Sequence, residues 1–290
     1  MFEQPLTYWV DLPADAAMRR MMMREFAAHG AKHLILPPPM IHMIMADHTF
    51  AGVLRKEMAE YGLTFADAHA PFRGILDMNC PDPDFRPQML LRHLMAMRIS
   101  ASLGIKTITI HPGSDRFFPE VPLEKHWDLM RDALDKLLPE AEKCGIVIAI
   151  ENSMSRAASA KAMVMLKGEY PTDTLGLCYD SGHANVLDRG RNYPTGMAYD
   201  FWHTVGCEPE WDDRILEKML PQMVNCHLHD NDGSADSHSM PGEGNVDWHR
   251  VIPMLKRAPR LMAVQSEVCL VPRYSIKQLC STFEKLSEIE

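Results

Sequence analysis

Eight short runs of apolar and β-branched residues recur along the 290-residue chain, and their alternation with longer amphipathic stretches constrains the fold more than any other feature. The runs are Leu6–Val10, His33–Leu36, Thr64–Ala68, Thr107–Ile110, Ile146–Ile150, Leu175–Tyr179, Met223–Leu228 and Leu261–Ser266. Several are apolar without a break, as strands covered on both faces are. Helical patterns lie between them, among them Ala14–His29, Pro87–Leu103, Leu123–Lys143 and Ser275–Glu288. Gly30, Gly62, Gly104 and Gly145 each stand where a helix would end. The unbroken β/α alternation predicts one α/β domain over residues 1–290. Eight such units at this length, with no GxGxxG after an early strand, favour a closed (β/α)8 TIM barrel over an open doubly wound sheet.

Composition narrows the function classes. With 30 basic and 39 acidic residues the net charge is -9, which supplies no global attraction to nucleic acid or to an anionic membrane. No apolar run is long enough to span a bilayer, and no N-terminal segment reads as a secretory signal, so a cytoplasmic location is expected. The seven cysteines include no CxxC and several sit in apolar runs, which predicts buried, reduced thiols. One connection is unusually long: Asn185 to Asp213 follows a strand and carries Arg189, Arg191, Tyr193, Tyr199, Phe201, Trp202, His203 and Trp211. It is expected to be a loop that walls or covers a pocket on the active face.

The chemistry is concentrated at the strand ends. The third run ends at His69, the fourth at His111, the fifth at Glu151, the sixth at Asp180 with His183 close behind, the seventh at His227 with His229 and Asp230, and the eighth at Glu267. Taken singly, each reads as a hydrogen-bonded histidine or a helix cap. In a barrel, all of these ends open into one mouth. Several carboxylates crowded there would repel one another, and a divalent cation ligated by imidazole and carboxylate relieves the repulsion. After the seventh run, residues 227–244 add Asp236 and His238 beside a Pro-Gly-Glu-Gly turn, and a plain surface loop would not carry three histidines.

At these residues the chain resembles the xylose-isomerase-like TIM-barrel superfamily, which includes sugar isomerases and epimerases, inosose dehydratases and the endonuclease IV branch. The resemblance runs over nearly the whole chain through IHPG at 110–113, IENS at 150–153, YDSGHAN at 179–185, HLHDND at 227–232, DSHSMPGEGNVDW at 236–248 and QSEV at 265–268. Two metal layouts of that group map here. The epimerase layout implies one ion held by Glu151, Asp180, His227 and Glu267, with the two glutamates as the proton-transfer pair and His183 near the substrate. The endonuclease IV layout implies a three-zinc set of His69, His111, Glu151, Asp180, His183, His227, Asp236, His238 and Glu267. The resemblance thus implies a divalent metal (zinc, manganese, magnesium or cobalt) and a sugar or polyol substrate, and it is compatible with a homo-oligomer.

The activity so implied is isomerisation or epimerisation of a sugar or sugar phosphate, by proton transfer next to a carbonyl through an enediolate. The alternatives are a lyase of the inosose dehydratase type and a zinc phosphodiesterase of the endonuclease IV type. The acidic balance and the few lysines in the strand-end loops speak against a DNA substrate. Arg156, His229 and His238 are candidates to hold a distal hydroxyl or phosphate of the ligand.

Overall fold

A computed structural model describes residues 1–270 and 273–290. Eight parallel strands close into a barrel in chain order: β1 (Leu6–Tyr8), β2 (His33–Leu36), β3 (Thr64–His69), β4 (Thr107–Ile110), β5 (Val147–Glu151), β6 (Leu175–Asp180), β7 (Met223–Leu228) and β8 (Ala263–Ser266). The last pairs with the first, Leu6 beside Val264 and Tyr8 beside Ser266, so no strand edge is left open. Around the barrel run α1 (Ala16–Ala28), α2 (Pro38–Ala46), α3 (Phe50–Glu60), α4 (Arg86–Ser102), α5 (Leu123–Cys144), α6 (Ala160–Glu169), α7 (Ser181–Arg189), α8 (Met197–Thr204), α9 (Ile215–Met219), α10 (Trp248–Leu255) and α11 (Ile276–Glu288). The predicted TIM barrel is the fold. None of the described helices is long and apolar enough to cross a membrane.

Local chemistry accounts for the boundaries. Asp15 caps α1 by accepting the Met18 amide at 2.8 Å, and Ser275 and Gln278 form a reciprocal capping box on α11. Gly30, Gly62, Gly104 and Gly145 take φ of 83°, 67°, 84° and 62° where helices hand over to strands. β1 is shorter than the apolar run Leu6–Val10, and β8 starts at Ala263 rather than Leu261. β3, β5 and β6 run one residue past the apolar stretches, so that His69, Glu151 and Asp180, the residues expected to close them, are the last paired residues.

The 185–213 connection is not a loop. α7, α8 and a 3-10 turn at Gly190–Asn192 occupy most of it. The glycines and prolines that suggest a loop only separate these short helices. The segment does wall the mouth, where Met197, Phe201 and Thr204 face the cavity.

The main core lies between barrel and helices, with Leu34, Ile108, Ile150, Leu177 and Leu228 meeting the inner faces of the helices. Inside the barrel the side chains are unusually polar: Thr7, Asp67, Thr107, Thr109, Asn225 and Gln265 are at most 1% exposed. They form a floor beneath the strand ends. No cysteine is disulfide-bonded; Cys80, Cys178, Cys226 and Cys280 are buried as expected, whereas Cys269 is exposed.

Candidate metal centre

Period-two alternation places Glu151, Asp180, His227 and Glu267 on inward-facing positions of four neighbouring strand ends. One donor atom from each of the four lies within 4.8 Å of all the others, around a common point. His227 Nδ1 is 2.9 Å from Glu151 Oε1, 3.0 Å from Glu267 Oε2 and 4.0 Å from Asp180 Oδ2. His69, His111 and Glu151 form a second group of the same kind, with Glu151 Oε2 lying 3.8 Å from His69 Nε2 and 2.8 Å from His111 Nε2. Asp236 collects the rest of the predicted set, 3.3 Å from His183 Nε2 and 3.1 Å from His238 Nε2. All nine positions named from the sequence therefore converge on one mouth, with Glu151 shared between two groups.

The backbone around the site orients the imidazoles. His69 Nδ1 donates to the Ala70 carbonyl at 2.9 Å, His183 Nδ1 to the Asn152 carbonyl at 2.8 Å and His238 Nδ1 to the Glu267 carbonyl at 2.7 Å. A carbonyl only accepts, so each Nδ1 carries a hydrogen and each Nε2 turns a lone pair toward the carboxylates unless it is protonated too. Lone pair facing carboxylate calls for a proton or a cation between them. His69 Nε2 and Asp236 Oδ1 are buried without a hydrogen-bond partner, which fits the same need. His238 holds φ 45°, an uncommon conformation for a residue with a Cβ, at the point where it meets Asp236 and the Glu267 carbonyl.

In the absence of a cation, protons balance the charge. Burial opposes ionisation of Glu267, but the His227 imidazolium beside it holds its carboxyl down at about 2. Glu151 is likewise held well below the usual carboxylate range, against burial, by His227 and His111. Burial works against a charged His238, yet its contact with Asp236 pushes it up to about 10. His183 rises for the same reason, against burial, through Asp180 and Asp236. Imidazole nitrogen and carboxylate oxygen together make a donor set that suits a divalent cation.

The loop motifs turn out to be scaffolding for this centre. Asp180 caps α7 through the His183 amide at 2.6 Å, so one carboxylate ends the strand and starts the helix. His229 is fully buried and bonds Asp180 Oδ2 at 3.0 Å. It braces a candidate ligand, and it also forms a group with Asp236 and His238 in which one donor atom of each lies within 4.8 Å of the others. Asp230 accepts from the amides of Asn231, Gly242 and Val246 and from Trp248 Nε1, which ties the Asp-Asn-Asp loop to the Pro-Gly-Glu-Gly turn and to α10. Asn185 Nδ2 bonds Asn231 and Asn245 across the same loops. Beneath the site, Asp67 accepts from Asn225 Nδ2 at 2.6 Å and Thr107 Oγ1 at 2.7 Å. Asn225 Nδ2 also reaches Thr109 Oγ1 at 3.2 Å, and that hydroxyl sits 3.3 Å from His227 Nε2.

Above the candidate ligands opens a cavity of about 870 Å³, large enough for a small sugar. His111, Glu151, His183, Asp236, His238 and Glu267 stand at its base, and Phe72, Phe117, Met154, Met197 and Phe201 form apolar walls. Arg156 does not line it. Its guanidinium donates to buried Asp115 at 3.0 Å and to Cys207 Sγ at 3.0 Å, so it holds loops together. The arginines that do line the cavity are Arg73 and Arg116, which sequence reasoning passed over. Both follow a strand-end histidine within five residues, and that position was the available signal.

A family model described as Xylose isomerase-like TIM barrel matches residues 29–261. Among curated proteins, an uncharacterized protein, y4fM, of Sinorhizobium fredii (strain NBRC 101917 / NGR234) is 25% identical over 160 residues, 53% of this chain and 44% of that protein. Uncharacterized protein MJ1311 of Methanocaldococcus jannaschii is 25% identical over 197 residues, 65% of this chain and 59% of that protein. The chain thus spans about half the length of the curated relatives it matches. Among solved structures, a D-tagatose 3-epimerase-like protein superposes with TM-score 0.73 at 18% identity, covering 98% of this chain and 96% of that one. The apo form of 3-keto-D-glucoside 4-epimerase, YcjR, from E. coli gives 0.72 at 14% identity over 98% and 99% of the two chains. IOLI protein with a bound zinc atom gives 0.69 at 15% over 98% and 96%. At these identities the structural likeness shows the fold.

Proposed function

The chain belongs to the xylose isomerase-like TIM barrel family, and from that premise we propose that it is a metal-dependent isomerase or epimerase of a sugar or sugar phosphate. The observation that carries the reading is the meeting of Glu151, Asp180, His227 and Glu267 donors within 4.8 Å of one another at the base of a sugar-sized cavity. These four would hold the ion, which when bound polarises a carbonyl and its neighbouring hydroxyl and acidifies the adjacent C–H. Glu151 and Glu267 approach from different strands, so one takes the proton and the other returns it to the neighbouring carbon or the opposite face. His183 orients a substrate oxygen beside Asp236. The apolar walls exclude water from the enediolate. The solved epimerases of the same fold support this reading.

The test is solvent deuterium incorporation into a panel of ketoses and aldoses by the metal-loaded protein. Wild type should incorporate deuterium at the carbon next to the carbonyl. Glu151→Gln and Glu267→Gln should each lower the rate by about 10²-fold or more, the usual scale for losing a general acid or base. Unchanged exchange in both variants would refute the roles.

One observation favours a second reading, phosphate ester hydrolysis: His69 and His111 on Glu151 Oε2, and His183 and His238 on Asp236, offer places for further ions. Metal analysis separates the two. One ion per chain supports the isomerase layout, and three raise the hydrolase.

A further inference from the structure

We propose that Arg73 is a specificity residue that selects a ligand carrying an anionic group, such as a sugar phosphate or a sugar acid; this deepens the reading of the cavity as a sugar site and rests on it. Arg73 follows β3 and lines the cavity. It comes directly after Phe72, whose ring packs on His69 and His111 with centroids 4.8 and 4.3 Å apart. Its position is therefore beside the metal-ligand shell but outside it.

Arg73 has φ 92°, a conformation that L side chains avoid. The conformation is imposed from below, because the Asp77 carboxylate receives the Arg73 amide at 2.7 Å and the Gly74 amide at 2.9 Å. Asp77 is itself 2% exposed. Gly113 seals the arrangement: a Cβ there would stand 2.8 Å from Asp77 Cβ and 1.9 Å from Asn79 Oδ1. A glycine at position 73 would meet the same turn without strain. The arginine side chain gives the fold nothing in exchange. Among the described residues no carboxylate lies within 4.0 Å of its guanidinium, and that group makes no hydrogen bond within the chain. Arg116, the other arginine of the wall, pairs with Asp200 at 2.8 Å and lies over the Phe201 ring at 4.5 Å. A strained, unpaired cation facing a ligand cavity is what selection for a ligand contact leaves behind. A guanidinium fork matches phosphate or carboxylate oxygens.

The test uses metal-loaded protein titrated with D-fructose, D-fructose 6-phosphate and D-glucuronate, together with melting temperatures of the variants. Wild type should bind an anionic sugar at least about tenfold more tightly than D-fructose, the scale of one charge-assisted hydrogen bond. Which anionic sugar is preferred distinguishes phosphate from carboxylate. Arg73→Gly should abolish the preference while leaving the melting temperature unchanged or raised, and Arg73→Lys should restore part of it. Equal affinity for all three sugars in wild type, binding of none, or a preference kept in Arg73→Gly overturns the assignment. So does a fall in melting temperature with equal loss for every sugar, the mark of a structural role. The proton-transfer reading is judged separately by deuterium exchange, which is scored without reference to charge.

Discussion

At the scale of single residues, the site is a set of acceptors and lone pairs whose orientation is decided one layer below. Asn225 is the clearest case. It lies in the barrel floor, donates to the buried Asp67 carboxylate and to Thr109, and so holds the hydroxyl that meets His227. Asn225→Leu leaves Asp67 short of a partner, and an unsatisfied buried acceptor costs about 1–3 kcal/mol. Urea denaturation should register that loss, and metal titration should show weakening on the order of 10–100-fold, as when an outer hydrogen bond to a ligand is removed. Wild-type stability and affinity in this variant would mean the floor does not position His227. Asp67 and Asn225 are two polar residues within β3 and β7. Their partnership was invisible in the sequence, because 158 positions separate them.

At the scale of elements, one glycine sets how closely the start of α7 approaches the loop after β7. Gly182 opens α7, and a Cβ on it would fall 1.9 Å from His229 Cε1. His229 has no room to retreat, since it is fully buried and stacks on His238 with centroids 4.0 Å apart. Gly182→Ala should therefore destabilise by about 1–3 kcal/mol, the usual cost of overpacking, and loosen metal through Asp180. Thermal denaturation and metal titration check both effects, and a neutral result in each would contradict the close packing. The helix and strand units themselves were legible, because their periodicities are local. The short helices of 185–213 were not, since helices of eight or nine residues separated by glycine and proline look like loop until packing against β6, β7 and the cavity wall stabilises them.

At the scale of the whole molecule, the centre couples metal, protons and folding. His238 rises from 6.5 to about 10 in the folded, metal-free state, so its contribution to stability is complete below pH 6.5 and lost as pH climbs through about 10. Glu267 falls from 4.5 to about 2, so its contribution is complete above pH 4.5 and lost as pH drops through about 2. Both contributions are whole between those inner limits, and chelated protein should gain most from this pair between pH 4.5 and 6.5. A metal ion must displace the imidazole protons, so its stabilisation should grow with pH. Melting curves with and without zinc or manganese should show a larger metal-induced rise at pH 8 than at pH 6. A rise that shrinks with pH would disprove proton-coupled uptake.

The amino-acid sequence by itself determined the number and order of the β/α units and which residues close each strand, because strand and helix periods, caps and turns are written in neighbouring positions. It therefore also determined that His69, His111, Glu151, Asp180, His183, His227, Asp236, His238 and Glu267 would share one end of the barrel. Only the tertiary structure decided what the side chains around them do. His229 became a brace for Asp180, Arg156 a loop tie to Asp115, and Arg73 a cation of the wall with no ion-pair partner among the described residues. Those roles depend on distances between side chains far apart in the chain, set by barrel closure and loop packing, and no local pattern encodes them.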